Sequence, residues 1–168
     1  MTNLAVSSSS RSTAMMIVRR MRRWLDAVPY SVLAIALRLA VATVFWNSGT
    51  TKLANWDTAI ALFTDEYHVP LLPPEIAAYL AATIELTTPV LLVLGLFTRP
   101  AAAVLLGMTL VIEVFVYPQA WPVHIQWAAM LLVLLCRGAG KLSIDYFLWR
   151  WLGGKLGEDA SNERAGHA

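Results

Sequence analysis

This chain has little charge: Asp, Glu, Lys and Arg make up only 14% of its 168 residues. It has a single cysteine, Cys136, and three histidines. One thiol excludes an internal disulfide and an intrachain Cys-x-x-Cys redox couple. Cys136 reads as a small apolar residue near a helix end. Of the three histidines only His124 falls near other polar residues at membrane depth, so no metal site is predicted, and no two of them are evidently placed to face each other across a haem. There is no glycine-rich phosphate loop and no Ser-His-Asp order. Outside the flanks of the apolar segments there is no basic stripe either, which argues against a nucleic-acid partner. The absence of an internal repeat means that a transporter built from this chain would need a dimer.

What is present is hydrophobic. Apolar residues make up 58% of the chain, the mean hydropathy is +0.59, and the charges are segregated. Three long windows and a shorter fourth are almost free of charge, and a spanning helix needs about 20 mostly apolar residues. The expected fold class is therefore all-α, an integral membrane four-helix bundle with spans at about 30–49, 75–97, 100–117 and 122–136.

The segments around the spans are amphipathic or polar. Residues 1–14 are serine-rich and aperiodic and read as a disordered tail. Over 15–28, Ile17, Met21, Trp24, Leu25 and Val28 follow helical spacing, with Arg19, Arg20, Arg22 and Arg23 between them. That pattern predicts a basic amphipathic helix lying on an anionic membrane surface. A signal peptide fits less well, because the next apolar run is long, Arg38 interrupts it and no small-x-small site follows. A four-span domain is expected over 29–152. It includes a short surface helix after Asn55 and an interfacial helix at about 143–152 capped by Ser143. Residues 153–168 read as a flexible polar tail.

Charge also orients the spans. If the N-terminus is cytoplasmic, Arg11, Arg19, Arg20, Arg22, Arg23, Arg99, Arg137, Lys141, Arg150, Lys155 and Arg164 fall inside. Only Lys52 falls outside, and Arg38 lies within the bilayer. This bias predicts that both termini are cytoplasmic.

The polar residues at membrane depth are the candidate site. A central arginine costs about 3 kcal/mol on insertion scales, so Arg38 should face the bundle interior and have an acidic partner. Glu85 lies at similar depth in the second span, with Ala78, Ala81, Ala82, Thr88 and Pro89 on its side of the helix, and small residues there let a neighbouring helix approach. An Arg38–Glu85 pair is predicted, either as a structural ion pair fixing helix register or as part of a ligand pocket. Lys52, Glu113 and His124 are expected to form a second polar layer further out. Glu113 and His124 either belong to a site or reach the outer interface separately. Asn47 points away from these residues.

Three segments carry a family likeness. "LRLAVATVFWNSGTTKL" (residues 37–53) resembles the first-helix motif of the DoxX family. "ELTTPVLLVLGLFTRPAA" (85–102) is similar to its second-helix signature, and "GAGKLSIDYFL" (138–148) to its closing motif. Arg38, Gly49, Lys52, Glu85, Gly95, Arg99, Gly138, Gly140, Ser143 and Asp145 match that pattern. Ser48 departs from it, standing where many relatives have histidine, which weakens a proton or metal role for that position.

The resemblance implies a four-helix protein of the bacterial inner membrane. Some relatives are linked to membrane redox systems, including a subunit of a thiosulfate:quinone oxidoreductase and oxidative-stress complexes, and others accompany metal-stress genes. The expected function is a small-molecule- or quinone-binding accessory subunit of a redox or stress-response system, with no enzyme activity of its own and quinone as the candidate cofactor. Membrane lipids and a protein partner or second copy are the expected partners. The alternative is a non-catalytic scaffold or small-solute protein associated with metal stress.

Overall fold

No proline or glycine occurs before Pro29, and the first helix uses that freedom. In the computed structural model, which describes residues 3–67 and 71–153, α1 runs over Asn3–Asp26. It therefore continues through residues 3–14, which the sequence reading assigned to a disordered tail. Serine costs a helix only about half a kcal/mol per residue, so a helix formed over the arginine-rich part can propagate back through the serine run. The expected tail at 153–168 lies, apart from residue 153, outside the described residues.

The apolar windows become α2 (Tyr30–Ala54), α4 (Pro74–Leu94), α5 (Thr98–Val111) and α6 (Trp121–Arg137), with α3 (Trp56–Asp65) between the first two. A π-helical turn, Ile112–Val116, extends α5, and a 3-10 turn, Pro118–Ala120, leads into α6. A last helix, α7, covers 144–153. Ser143 Oγ accepts the Tyr146 amide at 3.3 Å, the N-cap bond expected of it. Four segments are long and apolar enough to cross a membrane: Tyr30–Ala54, Pro74–Leu94, Thr98–Val116 and Pro118–Arg137. The first is five residues longer than the sequence suggested, which puts Lys52 on the helix.

The spans pack in sequence around a shared core: α2 against α4, α4 against α5, α5 against α6, and α6 back against α2. α2 and α4 are antiparallel, since Arg38 meets Val93 while Ser48 meets Glu85. We call the end where α2 begins the lower end and the end where it stops the upper end. Phe45, Leu92, Leu105, Leu131 and Leu134 fill the centre with Val41, Ala42, Ala101 and Ala102. Small residues allow close approach. A β-carbon on Gly49 would sit 2.9 Å from Leu86 Cγ and 3.0 Å from Glu85 Cβ. Large apolar residues such as Val32, Leu39, Val90 and Leu110 face outward, as lipid contact requires. α1 packs against no other element to any substantial extent among the described residues and leaves Ile17, Met21, Trp24 and Leu25 exposed.

Candidate functional site

Two polar layers cross the bundle, and neither is the predicted Arg38–Glu85 pair. In the lower layer, Arg38 is 5% exposed and donates only to backbone oxygens. Nη1 bonds Ala139 O at 3.1 Å and Leu142 O at 2.9 Å, and Nη2 bonds Val93 O at 2.8 Å. The guanidinium thus fixes the 138–143 loop against the end of α4. Asp145 completes this layer. Its carboxylate accepts the amides of Phe97 (2.8 Å) and Thr98 (3.0 Å), and its own amide donates to Gly95 O at 2.9 Å. This holds the α4–α5 turn, where Gly95 (φ 66°) and Phe97 (φ 49°) are both left-handed. Ser143 and Gly95 touch there, and Gly140 packs on Ser31.

In the upper layer, Glu85 is paired with Lys52. Nζ lies 2.8 Å from Oε1 and 2.7 Å from Oε2. Ser48 joins them, donating to Glu85 Oε1 at 3.0 Å and accepting from Lys52 Nζ at 3.0 Å. The correction to the predicted pair has a geometric cause. Side chains on a helix lean toward its N-terminus. Arg38 therefore leans toward the lower end and Glu85, on an antiparallel helix, toward the upper end, so the two diverge. Lys52 leans down and meets Glu85. Pro89 lacks the amide that would otherwise bond the Glu85 carbonyl.

Glu113 and His124 do meet, with Nδ1 2.6 Å from Oε2 and the two side chains 18% and 5% exposed. Glu113 lies on the π-helical turn, a widened geometry often found at functional sites. Lys52 bonds neither of them, so the expected outer layer consists of two separate pairs, Lys52–Glu85 and His124–Glu113, and Lys52, Glu85 and His124 line one cavity. That cavity, of about 380 Å³, is lined by Ser48, Lys52, Glu85 and His124, with Phe45, Trp127, Tyr67 and Tyr117 among its aromatics. Most of its remaining wall is aliphatic, including Val44, Ile84, Val104 and Met108. Phe45 meets Trp127 edge-on at 5.7 Å, and Trp127 lies 5.0 Å from the His124 ring. If Nδ1 donates to Glu113, Nε2 of His124 is an acceptor; a protonated imidazole makes it a donor.

Sequence reasoning missed three members of this site. It treated Ser48 as a departure from a motif, although its place four residues before Lys52 puts both on one face. Glu66 and Tyr67 follow α3; Tyr67 read only as the last apolar position of that short helix, and Glu66 carried no pattern. Tyr67 and Tyr117 hydroxyls are 2.9 Å apart, and Tyr117 donates to Glu66 Oε1 at 3.1 Å. Burial, the Tyr117 bond and the nearby carboxylates push the Tyr67 phenol well above its usual value. Among the described residues no group of three or more His, Cys, Asp or Glu is placed to hold a metal ion.

The DoxX family model matches residues 33–118, just over half of the chain. The chain belongs to the DoxX family. Both ion-paired residues of the Lys52–Glu85 layer and Arg38 lie within the matched part, whereas the closing motif at 138–148 lies beyond it. This DoxX protein is also 30% identical over 136 residues to a Haemophilus influenzae protein described as uncharacterized, covering 72% of this chain and 86% of the relative. No solved structure gives a significant match.

Proposed function

We propose that this DoxX membrane protein binds a small amphipathic molecule, with a quinone headgroup as the candidate ligand, and serves as an accessory subunit of a membrane redox or stress-response system. The cavity carries this reading. It is mainly apolar, its volume of about 380 Å³ falls in the range of small-molecule sites, and Lys52, Ser48, Glu85 and His124 converge on it. A quinone headgroup needs donors for its carbonyl oxygens and proton exchange when reduced. Lys52 Nζ and the Ser48 hydroxyl spend their protons on Glu85 and on each other, so a headgroup carbonyl would have to draw one of them away, while His124 lines the same cavity with a protonatable ring held by Glu113. Electron transfer is assigned to a partner protein.

The charge distribution supports an orientation with the lower end in the cytoplasm. Arg99, Arg137, Lys141 and Arg150 belong to that end, while Asp57, Asp65, Glu66 and Glu75 belong to the upper end with Lys52. The proposed location is the bacterial inner membrane with both termini cytoplasmic, so that the cavity lies in the outer half of the bilayer.

The test is purification with native lipids, quinone analysis of the extract and thermal unfolding with short-chain quinone analogues. Ala81 lines the cavity, and Ala81→Phe serves as a filled-cavity control. Bound quinone, and a melting temperature raised by the analogues in the native protein but not in Ala81→Phe, would support the reading. No quinone and an unmoved melting temperature would end it. The scaffold reading draws on one observation, that Arg38 and Asp145 bond only to backbone groups of their own chain. It predicts full activity in cells for the filled-cavity variant.

A further inference from the structure

A second concavity, of about 960 Å³, opens at the lower end, on the opposite side of the Arg38 layer from the first. We propose that it is a binding site for an anionic phospholipid, with the phosphodiester headgroup held by Arg99, Arg137 and Lys141.

All three basic residues line this groove and are exposed. None pairs with a carboxylate among the described residues, since the basic side chains that meet a carboxylate there are Arg22 at Asp26, Lys52 at Glu85 and His124 at Glu113. Asp145, the acidic residue of the groove, already accepts two backbone amides. Two of the cations are held in place. Arg99 Nη2 donates to Cys136 O at 3.3 Å, and the Arg137 guanidinium lies 5.0 Å from the centroid of the Tyr30 ring. Tyr30 is itself anchored by donating to Gly138 O at 2.8 Å. Each of these contacts leaves other guanidinium N–H groups free, and a phosphate oxygen pair suits that fork.

The rest of the groove distinguishes a lipid from a soluble anion. Phe97 and Trp149 line it while remaining 61% and 75% exposed, an apolar wall that a free phosphate would not use and an acyl chain would cover. The groove also lies where α2 and α5 begin and α4 and α6 end, at the depth of the headgroups for a bundle of this length. Cations gathered between spans at this level are a recognised arrangement for anionic headgroups.

The experiment uses the full chain, delipidated in a neutral detergent and titrated with phosphatidylglycerol, phosphatidylcholine or glycerol phosphate while the melting temperature is followed. Phosphatidylglycerol should raise the melting temperature of the native protein, and phosphatidylcholine at equal concentration should not. Arg137→Gln/Lys141→Gln should raise the half-saturating phosphatidylglycerol concentration about tenfold or more, as expected from about 1 kcal/mol per basic residue. Lys141→Gln alone removes an exposed side chain with no hydrogen bond of its own and should give about a fivefold rise, so the test survives if the double variant fails to fold. Equal responses to the two lipids would overturn the proposal, as would unchanged affinity in Lys141→Gln. An equal response to glycerol phosphate would assign the groove to a soluble anion instead.

Discussion

Lys52 Nζ and Glu85 Oε2 are 2.7 Å apart, and their side chains are 17% and 2% exposed. The pair joins α2 to α4 beside the cavity, so removing one partner leaves a charge in an apolar wall. Lys52→Met should cost about 3–5 kcal/mol, as breaking buried ion pairs does. Lys52→Met/Glu85→Gln should recover part of that loss, because no unpaired charge remains. Equilibrium unfolding of the native protein and the two variants in detergent checks both statements.

Arg38 should tolerate no substitution by lysine. Its fork reaches three carbonyls on two segments, and a lysine ammonium has neither the planar spread nor the fixed geometry to replace it. Arg38→Lys is expected to lose about 2–4 kcal/mol and to speed amide exchange over 138–143. It should not couple to Glu85. Ten residues separate Arg38 from Ser48 along α2, about 15 Å of helix. A double-mutant cycle between Arg38→Leu and Glu85→Gln should give a coupling below about 0.5 kcal/mol.

Hydropathy located the four spans, and the family resemblance picked out Arg38, Gly95, Ser143 and Asp145 without saying that they hold the lower loop. The pairing of charges was not legible in the same way. Arg38 and Glu85 lie at similar positions from the lower ends of their helices, and depth alone made them partners. What separates them is the direction in which side chains lean on antiparallel helices. The length of α2 mattered too, because a helix ending at residue 49 would have left Lys52 in a loop. Ser48 was hidden because a comparison of residue types hides a role that depends on two neighbours, one along the helix and one across it. Tyr67 and Tyr117 come together only because α3 folds back over α4, with Trp56 against Tyr79 at 4.6 Å. No local pattern encodes that.

Gly95 is the position where the lower layer has no room. Its φ is 66°, and an added β-carbon would lie 2.6 Å from Ser143 Cβ and 2.8 Å from Arg38 Nη1. Gly95→Ala should cost at least about 1–2 kcal/mol from the backbone alone, with more for displacing Arg38. Gly107, within α5, has no neighbour within 4 Å of such a carbon. Gly107→Ala should be neutral or stabilising by about 0.5–1 kcal/mol. Melting temperatures of the two variants measured side by side test the contrast.

Tyr67 should set an alkaline limit on stability. Tyr117 gives its proton to Glu66, so Tyr67 must donate to the Tyr117 oxygen, and ionising Tyr67 would break that bond in a half-buried place near two carboxylates. Its folded pKa is raised above the usual phenol value of 10.0. Below that value both folded and unfolded chains keep the proton, and the contribution to stability is complete. As the pH rises above it, the unfolded chain loses the proton first and stability falls. Native protein should therefore lose melting temperature more steeply than Tyr67→Phe between about pH 9 and about pH 11. Tyrosinate absorbance should show the same residue directly: the native and Tyr67→Phe titrations should coincide through the ordinary phenol range and separate only above it. Separation near the ordinary value would mean that the Tyr67–Tyr117–Glu66 chain does not form.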